Sequence, residues 1–312
     1  MTDRAETLML LDTASLYFRA FYGVPDTVTA PDGTSVNAAR GLLDMIAKLV
    51  TAYAPTHLVA CWDDDWRPQW RVDLIPSYKA HRVVEVVEGG ADVEEVPDPL
   101  EAQIPIIREA LAALRIPVIG VASHEADDVI GTLATQARMP VDVVTGDRDL
   151  FQLIDDTRGV RIVYTARGMS NLEVMTEASV VARYGILPRQ YADFATMRGD
   201  ASDGLPGVAG VGEKTAATLL AAHGDLEGIR TAALTGAGMS AGVAKKIVAA
   251  SDYLDVAPAV VQVATGLPIS TPEEALRPLD TAEKASAIAV AERWNLGTSM
   301  ARALTALGAT GT

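Results

Sequence analysis

Five short apolar runs constrain this chain more than any other feature. They are TLMLLD (7–12), THLVACWD (56–63), IPVIGV (116–121), VDVVTGD (141–147) and GVRIVY (159–164). Each is rich in β-branched residues and largely continuous, the way a strand covered on both faces reads. Helical periodicity fills the intervals at 36–53, 100–114 and 125–138. Strands alternating with helices predict an α/β fold with a mostly parallel central sheet flanked by helices. In such a sheet, binding sites form beyond the carboxyl ends of the strands.

After about residue 175 the strand-like runs stop. Ala-rich helical stretches joined by Gly and Pro take over at 177–184, 188–198, 213–223, 240–252 and 281–294. The expected organisation is an α/β domain over 1–175 and a helical domain over 176–312. Between the second and third strands, the long segment 64–99 is basic and aromatic first, then acidic. A connection of this length in a compact domain is usually functional or mobile. The C-terminal tail ALGATGT carries no pattern.

At 49% hydrophobic and 21% charged residues, the 312-residue chain has a globular composition. No apolar run approaches the roughly 18 residues of a membrane span. The start, MTDRAETLMLLD, lacks the basic and apolar regions of a secretory signal. A cytoplasmic location without a membrane partner is therefore expected. The lone Cys61 allows no internal disulfide and reads as a small core residue. A net charge of −15 argues against a uniformly nucleic-acid-binding surface, not against a local one. Acids that serve as metal ligands are partly cancelled by their cations.

The acids are not scattered. Asp12 ends the first run, Asp63 the second and Asp147 the fourth, with Asp149 two residues on. HEADDVIGTLA (124–134) places Glu125, Asp127 and Asp128 at the start of the helix after the third run. Parallel strands bring all four groups to one edge of the sheet. Any single Asp here has an ordinary explanation as a turn residue or helix N-cap. Glu125 alone has one as a first-turn acid favoured by the helix dipole. Those accounts absorb one or two carboxylates, not the set. Like charges about 4 Å apart repel by roughly 4 kcal/mol per pair at an effective dielectric near 20, so the cluster calls for solvent or cations. Oxygen-only ligands suit Mg²⁺ or Mn²⁺, and none of the four His residues has zinc spacing. Asp200 and Asp203 in MRGDASDGLPG, three apart, are spaced to face one cation. Nine carboxylates are enough for two metal positions about 3.5–4 Å apart, the arrangement that serves phosphodiester hydrolysis.

Directly afterwards, LPGVAGVGEKTAATLL (205–220) sets Gly207, Gly210 and Gly212 ahead of Lys214 and Thr215. This resembles a helix-hairpin-helix element, whose Gly-x-Gly turn offers backbone N–H groups to a DNA phosphate. The alternative is a tight helix–helix turn without a ligand. In 64–82, Arg67, Arg71, Lys79 and Arg82 alternate with Trp66, Trp70 and Tyr78. Cations interleaved with aromatics suit phosphates and unpaired bases; an amphipathic helix with its aromatics in the core is the alternative. Lys79 and Arg82 would share a helix face and reach a scissile phosphate.

Together the motifs resemble the bacterial 5′ nucleases, the flap endonuclease/5′–3′ exonuclease family. Its members are familiar as the N-terminal domain of DNA polymerase I and as stand-alone enzymes. LLDTASLYFRAF (10–21), SYKAHR (77–82), HEADDVIGTLA, VTGDRDLFQLI (144–154) and RGDASDGLPGVAGVGEKTA (198–216) carry the match. A stand-alone member is expected, since the length leaves no room for a polymerase. The resemblance implies one Mg²⁺ or Mn²⁺ held by Asp12, Asp63, Glu125, Asp127, Asp128 and Asp147, and another held by Asp147, Asp149, Asp200 and Asp203. Lys79 and Arg82 would match the catalytic basic residues at the base of a helical arch, about 64–99, that passes a single-stranded 5′ end. Arg19 and Tyr22 would lie near the scissile nucleotide, with Arg71 among the DNA contacts. The hairpin about 198–220 would bind duplex through Gly207, Gly210, Gly212, Lys214 and Thr215, with a K⁺ ion on its carbonyls. The implied activity is two-metal hydrolysis at 5′ flaps and 5′ ends in replication and repair, leaving a 5′-phosphate. The implied partners are DNA with a 5′ flap, nick or 5′ overhang, and a repair polymerase or ligase, with the protein itself a monomer.

Three departures stand out. Gly204 follows Asp203 where the family usually has Asn, which predicts looser geometry there. The arch segment carries Glu85, Glu88, Asp92, Glu94, Glu95, Asp98 and Glu101, which should weaken non-specific DNA binding. Asp64 and Asp65 flank Asp63, whose assignment rests on its strand-end position. Two other readings compete. A PIN-like ribonuclease shares strand-end carboxylates, but those domains are short and lack the hairpin. A non-catalytic DNA-junction binding protein would need broken acidic motifs, and none of the expected carboxylates is missing.

Overall fold

The computed structural model describes residues 6–87, 92–272 and 275–308. The chain opens with β1 (Leu8–Asp12), α1 (Thr13–Gly23), α2 (Asn37–Tyr53), β2 (His57–Cys61) and α3 (Gln69–Leu74). A small hairpin, β3 (Val83–Glu85) and β4 (Val93–Glu94), and one helical turn, α4 (Asp98–Glu101), follow. Next come α5 (Ile104–Ala113), β5 (Val118–Ile119), α6 (Ala126–Gln136), β6 (Val141–Thr145), β7 (Val160–Tyr164) and β8 (Glu173–Met175). The remainder is helical: α7 (Glu177–Tyr184), α8 (Tyr191–Arg198), α9 (Glu213–His223), α10 (Leu226–Thr235), α11 (Ala241–Ala249), α12 (Ser251–Val261), α13 (Thr281–Arg293) and α14 (Gly297–Gly308).

The main sheet runs β5-β2-β1-β6-β7-β8 and is parallel except for β8. All five apolar runs became its strands. The central strands β1, β2 and β6 are buried throughout because helices cover both faces, as βαβ crossovers require, whereas β5 at the sheet edge is half-buried. β1 pairs in register with β2 and β6, Leu8 opposite His57 and Val141. Asp12, Asp63 and Asp147 therefore emerge at one edge. The antiparallel β8 went unanticipated because its three residues are too few to show a period. Cys61 is fully buried in the core.

Two expectations about organisation are corrected. The helical region does not stand apart as one block over 176–312. α6 and the helices through α12 share a core on one face of the sheet, whereas α13 and α14 pack with α2 and α5 on the other. Met300, Ala303, Ala306 and Leu307 of α14 are buried there, and Arg302 donates to both oxygens of Asp44 of α2 at 2.8 Å. Nor do the described residues of 64–99 form a helical arch. They comprise α3, a 3₁₀ turn at Ala80–Arg82, the paired strands β3 and β4, and the start of α4. The VVEVVE stretch is β-branched at four of its six positions, which suits a strand better than a helix. Glu88 lies outside the described residues, as do residues 1–5 of the N-terminal stretch and 309–312 of the tail; 306–308 close α14.

Candidate active site

Asp12 closes β1 and caps α1. Ser15 N–H donates to its Oδ1 at 3.1 Å and the Thr145 hydroxyl to its Oδ2 at 2.7 Å. The same hydroxyl accepts the Asp147 N–H at 2.9 Å, so one threonine fixes two strand-end acids. Asp63 accepts the Ala126 N–H at 2.8 Å, which ties it to the first turn of α6. Its neighbours turn elsewhere: Asp65 is buried and accepts the Arg67 N–H at 3.2 Å, and Asp64 lies 3.7 Å from Arg108.

Glu125 precedes α6 in a buried position. The Tyr78 hydroxyl lies 2.9 Å from both carboxylate oxygens, and Lys79 Nζ donates to Oε1 at 3.0 Å. Asp127 faces a cleft of about 370 Å³ that it shares with Asp12, Asp63, Glu125 and Asp147. Asp128 points away. Arg71 Nη1 and Nη2 donate to its two oxygens at 2.8 and 2.7 Å, Arg71 Nε donates to Val260 O at 3.1 Å, and Ala264 N–H donates to Asp128 at 2.8 Å. Both side chains are buried, so the expectations that Asp128 ligates metal and Arg71 contacts DNA are corrected. Adjacent helical residues point about 100° apart, and a guanidinium in a core needs a paired carboxylate. Arg67 is also spent internally, on Asp92, Tyr78 O and Pro76 O.

The helical region contributes the last two acids. Asp200 accepts Ser202 N–H and Arg198 Nη2, each at 2.9 Å. Asp203 Oδ1 lies 3.5 Å from Arg82 Nη2, which donates to Ser202 O at 2.8 Å. Lys79 N–H donates to Asp203 O at 3.0 Å and Ser77 Oγ to Gly204 O at 2.7 Å. Lys79 precedes and Arg82 ends a 3₁₀ turn instead of sharing an α-helical face, yet both line the cleft. Gly204 is no looser for being glycine. At φ +69° a Cβ would sit 2.0 Å from Ser77 O, so only glycine lets these two segments meet.

The electrostatics divide the acids into two groups. Burial first, then Asp63 and Asp147 against an opposing Thr145 hydrogen bond, pushes Asp12 up to about 7. Burial and then Asp147 raise Asp127 and Asp149 well above the carboxylate range. Asp63, Glu125 and Asp147 are also raised, again chiefly by burial. Asp128 and Asp200 go the other way: burial works against their charge, but the Arg71 hydrogen bonds and charge hold Asp128 below the usual range, and the Ser202 hydrogen bonds with Arg198 and Arg148 do the same for Asp200. Lys79 is raised, burial being outweighed by Glu125 and its neighbours. A cleft of carboxyls pushed upward is short of positive charge.

Divalent cations fit that shortage. The donors are all oxygen, and a buried Asp149 Oδ1 accepts no hydrogen bond from the protein. Among the described residues, no three of these groups converge tightly enough to enclose an ion alone.

The glycine turn lies beyond this cleft. Gly207, at φ +66°, would place a Cβ 2.5 Å from Gly199 N, and Gly212 caps α9 ahead of exposed Lys214 and half-buried Thr215. Lys246 of α11 donates to Gly210 O at 3.0 Å. That carbonyl therefore already meets a positive charge. Arg19 ends beside Gly146 with a buried Nε that has no protein acceptor, and Tyr22 is 73% exposed. Sequence reasoning missed the positioning work of Thr145, Tyr78 and Lys246; Glu94, read there only as one of a run of arch acids, lines the cleft. For Tyr78, its place beside Lys79 in SYKAHR was the available signal.

Two family models match in succession: the 5′–3′ exonuclease N-terminal resolvase-like domain over residues 7–185, and the 5′–3′ exonuclease C-terminal SAM fold over 186–284. A 5′–3′ exonuclease of Streptomyces coelicolor is 56% identical over 302 residues, spanning 96% of this chain and all of the relative. One from Mycobacterium tuberculosis is 50% identical over 310 residues, 96% of this chain and 97% of the relative. DNA polymerase I of Mycobacterium bovis is 45% identical over 232 residues, 73% of this chain but only 24% of that protein. The fold is shared with the phage T5 5′-exonuclease bound to zinc, at a TM-score of 0.63 and 16% identity over 97% of this chain and 100% of that one. It is shared with the DNA-bound catalytic core of Rad2 at 0.56 and 16%, over 97% and 90%. With a model matching more than half of its length and relatives 56% and 50% identical along nearly all of it, the chain belongs to the 5′–3′ exonuclease family.

Proposed function

We propose that this chain hydrolyses DNA phosphodiesters at 5′ flaps, nicks and 5′ ends with the help of two Mg²⁺ or Mn²⁺ ions. The observation that carries the reading is the gathering of upward-shifted carboxyls around one cleft next to Lys79 and Arg82. Asp12, Asp63, Glu125, Asp127 and Asp147 would hold one ion, and Asp147, Asp149, Asp200 and Asp203 the other. When bound, the ions would supply a water nucleophile at neutral pH and neutralise charge on the leaving oxygen.

The chain's own groups do the rest. Lys79 and Arg82, on the rim, bind the scissile phosphate and draw off charge as the P–O bond to the leaving 3′ oxygen breaks, which leaves a 5′-phosphate on the retained strand. Glu125 fixes the Lys79 ammonium in place, and Tyr78 fixes Glu125. Arg19 and Tyr22 lie along the first helix to steady the nucleotide at the cut. The turn at Gly207–Gly212, with Lys214 and Thr215 opening α9, grips a duplex phosphate at a helix N-terminus. Arg71 and Asp128 act at one remove, by holding α6 in place.

A labelled 5′-flap DNA, incubated with and without Mg²⁺ or Mn²⁺, tests the proposal. Metal-dependent cutting near the junction is expected, and no product with either metal would overturn it. Asp147→Ala should abolish cutting while flap binding persists. A monomer in the cytoplasm that hands a nick to a repair polymerase or ligase completes the reading. Among the described residues, no helix is long and apolar enough to cross a membrane.

A further inference from the structure

We infer that the β3–β4 hairpin is a length filter, admitting short single-stranded 5′ segments to the cleft and turning away long ones; this rests on the function just proposed. From Val83 to Ile107 the chain has seven acids and no Lys or Arg. Of these, Asp92 and Glu94 line the cleft wall beside Trp66 and Val96, facing Lys79 and Arg82. The Glu94 carboxylate lies 4.0 Å from Arg82 Nη1, on a guanidinium that also meets Asp203. A phosphate seeking Arg82 must approach past that charge.

The wall is held in place. Asp92 pairs with buried Arg67 and accepts the Val87 N–H at 3.2 Å, while Trp66 Nε1 donates to Asp92 O at 2.7 Å. Glu95 N–H donates to Arg82 O at 2.8 Å, which ties the strand bearing Glu94 to the arginine it faces. Moving this segment as a whole would break the buried Arg67–Asp92 pair. Besides the exposed acids Glu85 and Glu95, the hairpin exposes apolar side chains: Val84, Val86 and Val93 are 66, 73 and 44% exposed, a surface able to touch bases but not to bind phosphates. One nucleotide brings one phosphate near the acids, and each further nucleotide adds another. Screening limits this to about 10 Å at 0.1 M salt, so the penalty builds over the first few nucleotides and then levels off.

The test is single-turnover cleavage by the full chain of a one-nucleotide flap and of a flap of about twenty nucleotides, at about 50 and 200 mM salt. The quantity read is the long-to-short rate ratio, which cancels losses common to both substrates. In the wild-type protein it should rise about threefold or more as salt screens the wall. Glu94→Gln should raise the ratio already at low salt and flatten its salt response, and adding Glu85→Gln and Glu95→Gln should extend the effect. A ratio indifferent to salt and to Glu94→Gln would overturn the filter while leaving the nuclease reading standing. The wild-type salt series decides the matter even if a variant folds poorly. Failure to cut either flap with metal would instead overturn the function, and the filter with it.

Discussion

Asp127 and Asp128 are neighbours in the first turn of α6, yet they stand in opposite surroundings. Asp127 looks into the cleft, where its charged form is disfavoured by burial, Asp147 and Asp12. Asp128 looks into the core, where Arg71 and the Ala264 N–H satisfy it. The cations divide in the same way. Arg67 and Arg71 are locked inside, whereas Arg82 and Lys214 remain partly or fully exposed. Residue type and spacing therefore identify an acidic helix start without saying which acids await a ligand. The geometry separates these two: the charge of Asp128 is met by Arg71 and holds the frame, whereas that of Asp127 has no such partner and faces the cleft.

The largest expected effect breaks the cleft side of this pair. Asp127→Asn should lower cleavage by about a thousandfold, the scale at which a transition-state charge partner is lost, with the unfolding midpoint unchanged or higher. Comparable loss from Asp128→Asn, without loss of stability, would dissolve the distinction. The core side breaks next. Arg71→Ala leaves a buried carboxylate unpaired and should cost about 3 kcal/mol of unfolding free energy, read by denaturant titration. Arg71→Met with Asp128→Leu should cost less than either single change to alanine, because it removes both charges together. If the double variant were the worst of the three, the pair would contribute more than mutual compensation.

Metal linkage sharpens the same contrast. At Mg²⁺ or Mn²⁺ a hundredfold above its dissociation constant, binding to the folded chain alone should add about 2.7 kcal/mol to stability. Asp127→Asn should diminish that increment. Asp128→Asn should start from a lower baseline yet keep the increment whole. A thermal-shift titration of the three proteins reads this directly, and an equal loss of increment in both variants would return Asp128 to the ligands.

These contrasts also explain what the sequence made legible. The five strands stood out because continuous β-branched runs have few other uses, and the strand-end acids followed from parallel pairing. The Arg71–Asp128 clamp was not readable. Its partners are 57 residues apart, and nothing local says whether an arginine among aromatics faces DNA or a buried carboxylate. The packing of α14 on α2 was hidden for a related reason. The buried stripe of α14 is mostly alanine and methionine, which marks a helix face without naming what covers it. The hairpin at 83–94 was misread because the resemblance supplied a helix there, against a local β-branched pattern that pointed to strands.

The smallest effect tests whether exposed cations belong to the working side. Lys214 opens α9 in solvent beside the glycine turn, with no described hydrogen bond from its ammonium, whereas Arg71 spends its guanidinium on Asp128 and Val260. Lys214→Ala should leave stability unchanged. It should weaken duplex binding modestly and alike for all sequences, and reduce the slope of log affinity against log salt by about one, the signature of one lost phosphate contact. Arg71→Ala, compared under conditions where it stays folded, should not change that slope, because its charge never meets the DNA. An unchanged slope in Lys214→Ala would mean that the glycine turn is a structural corner and that duplex is held elsewhere.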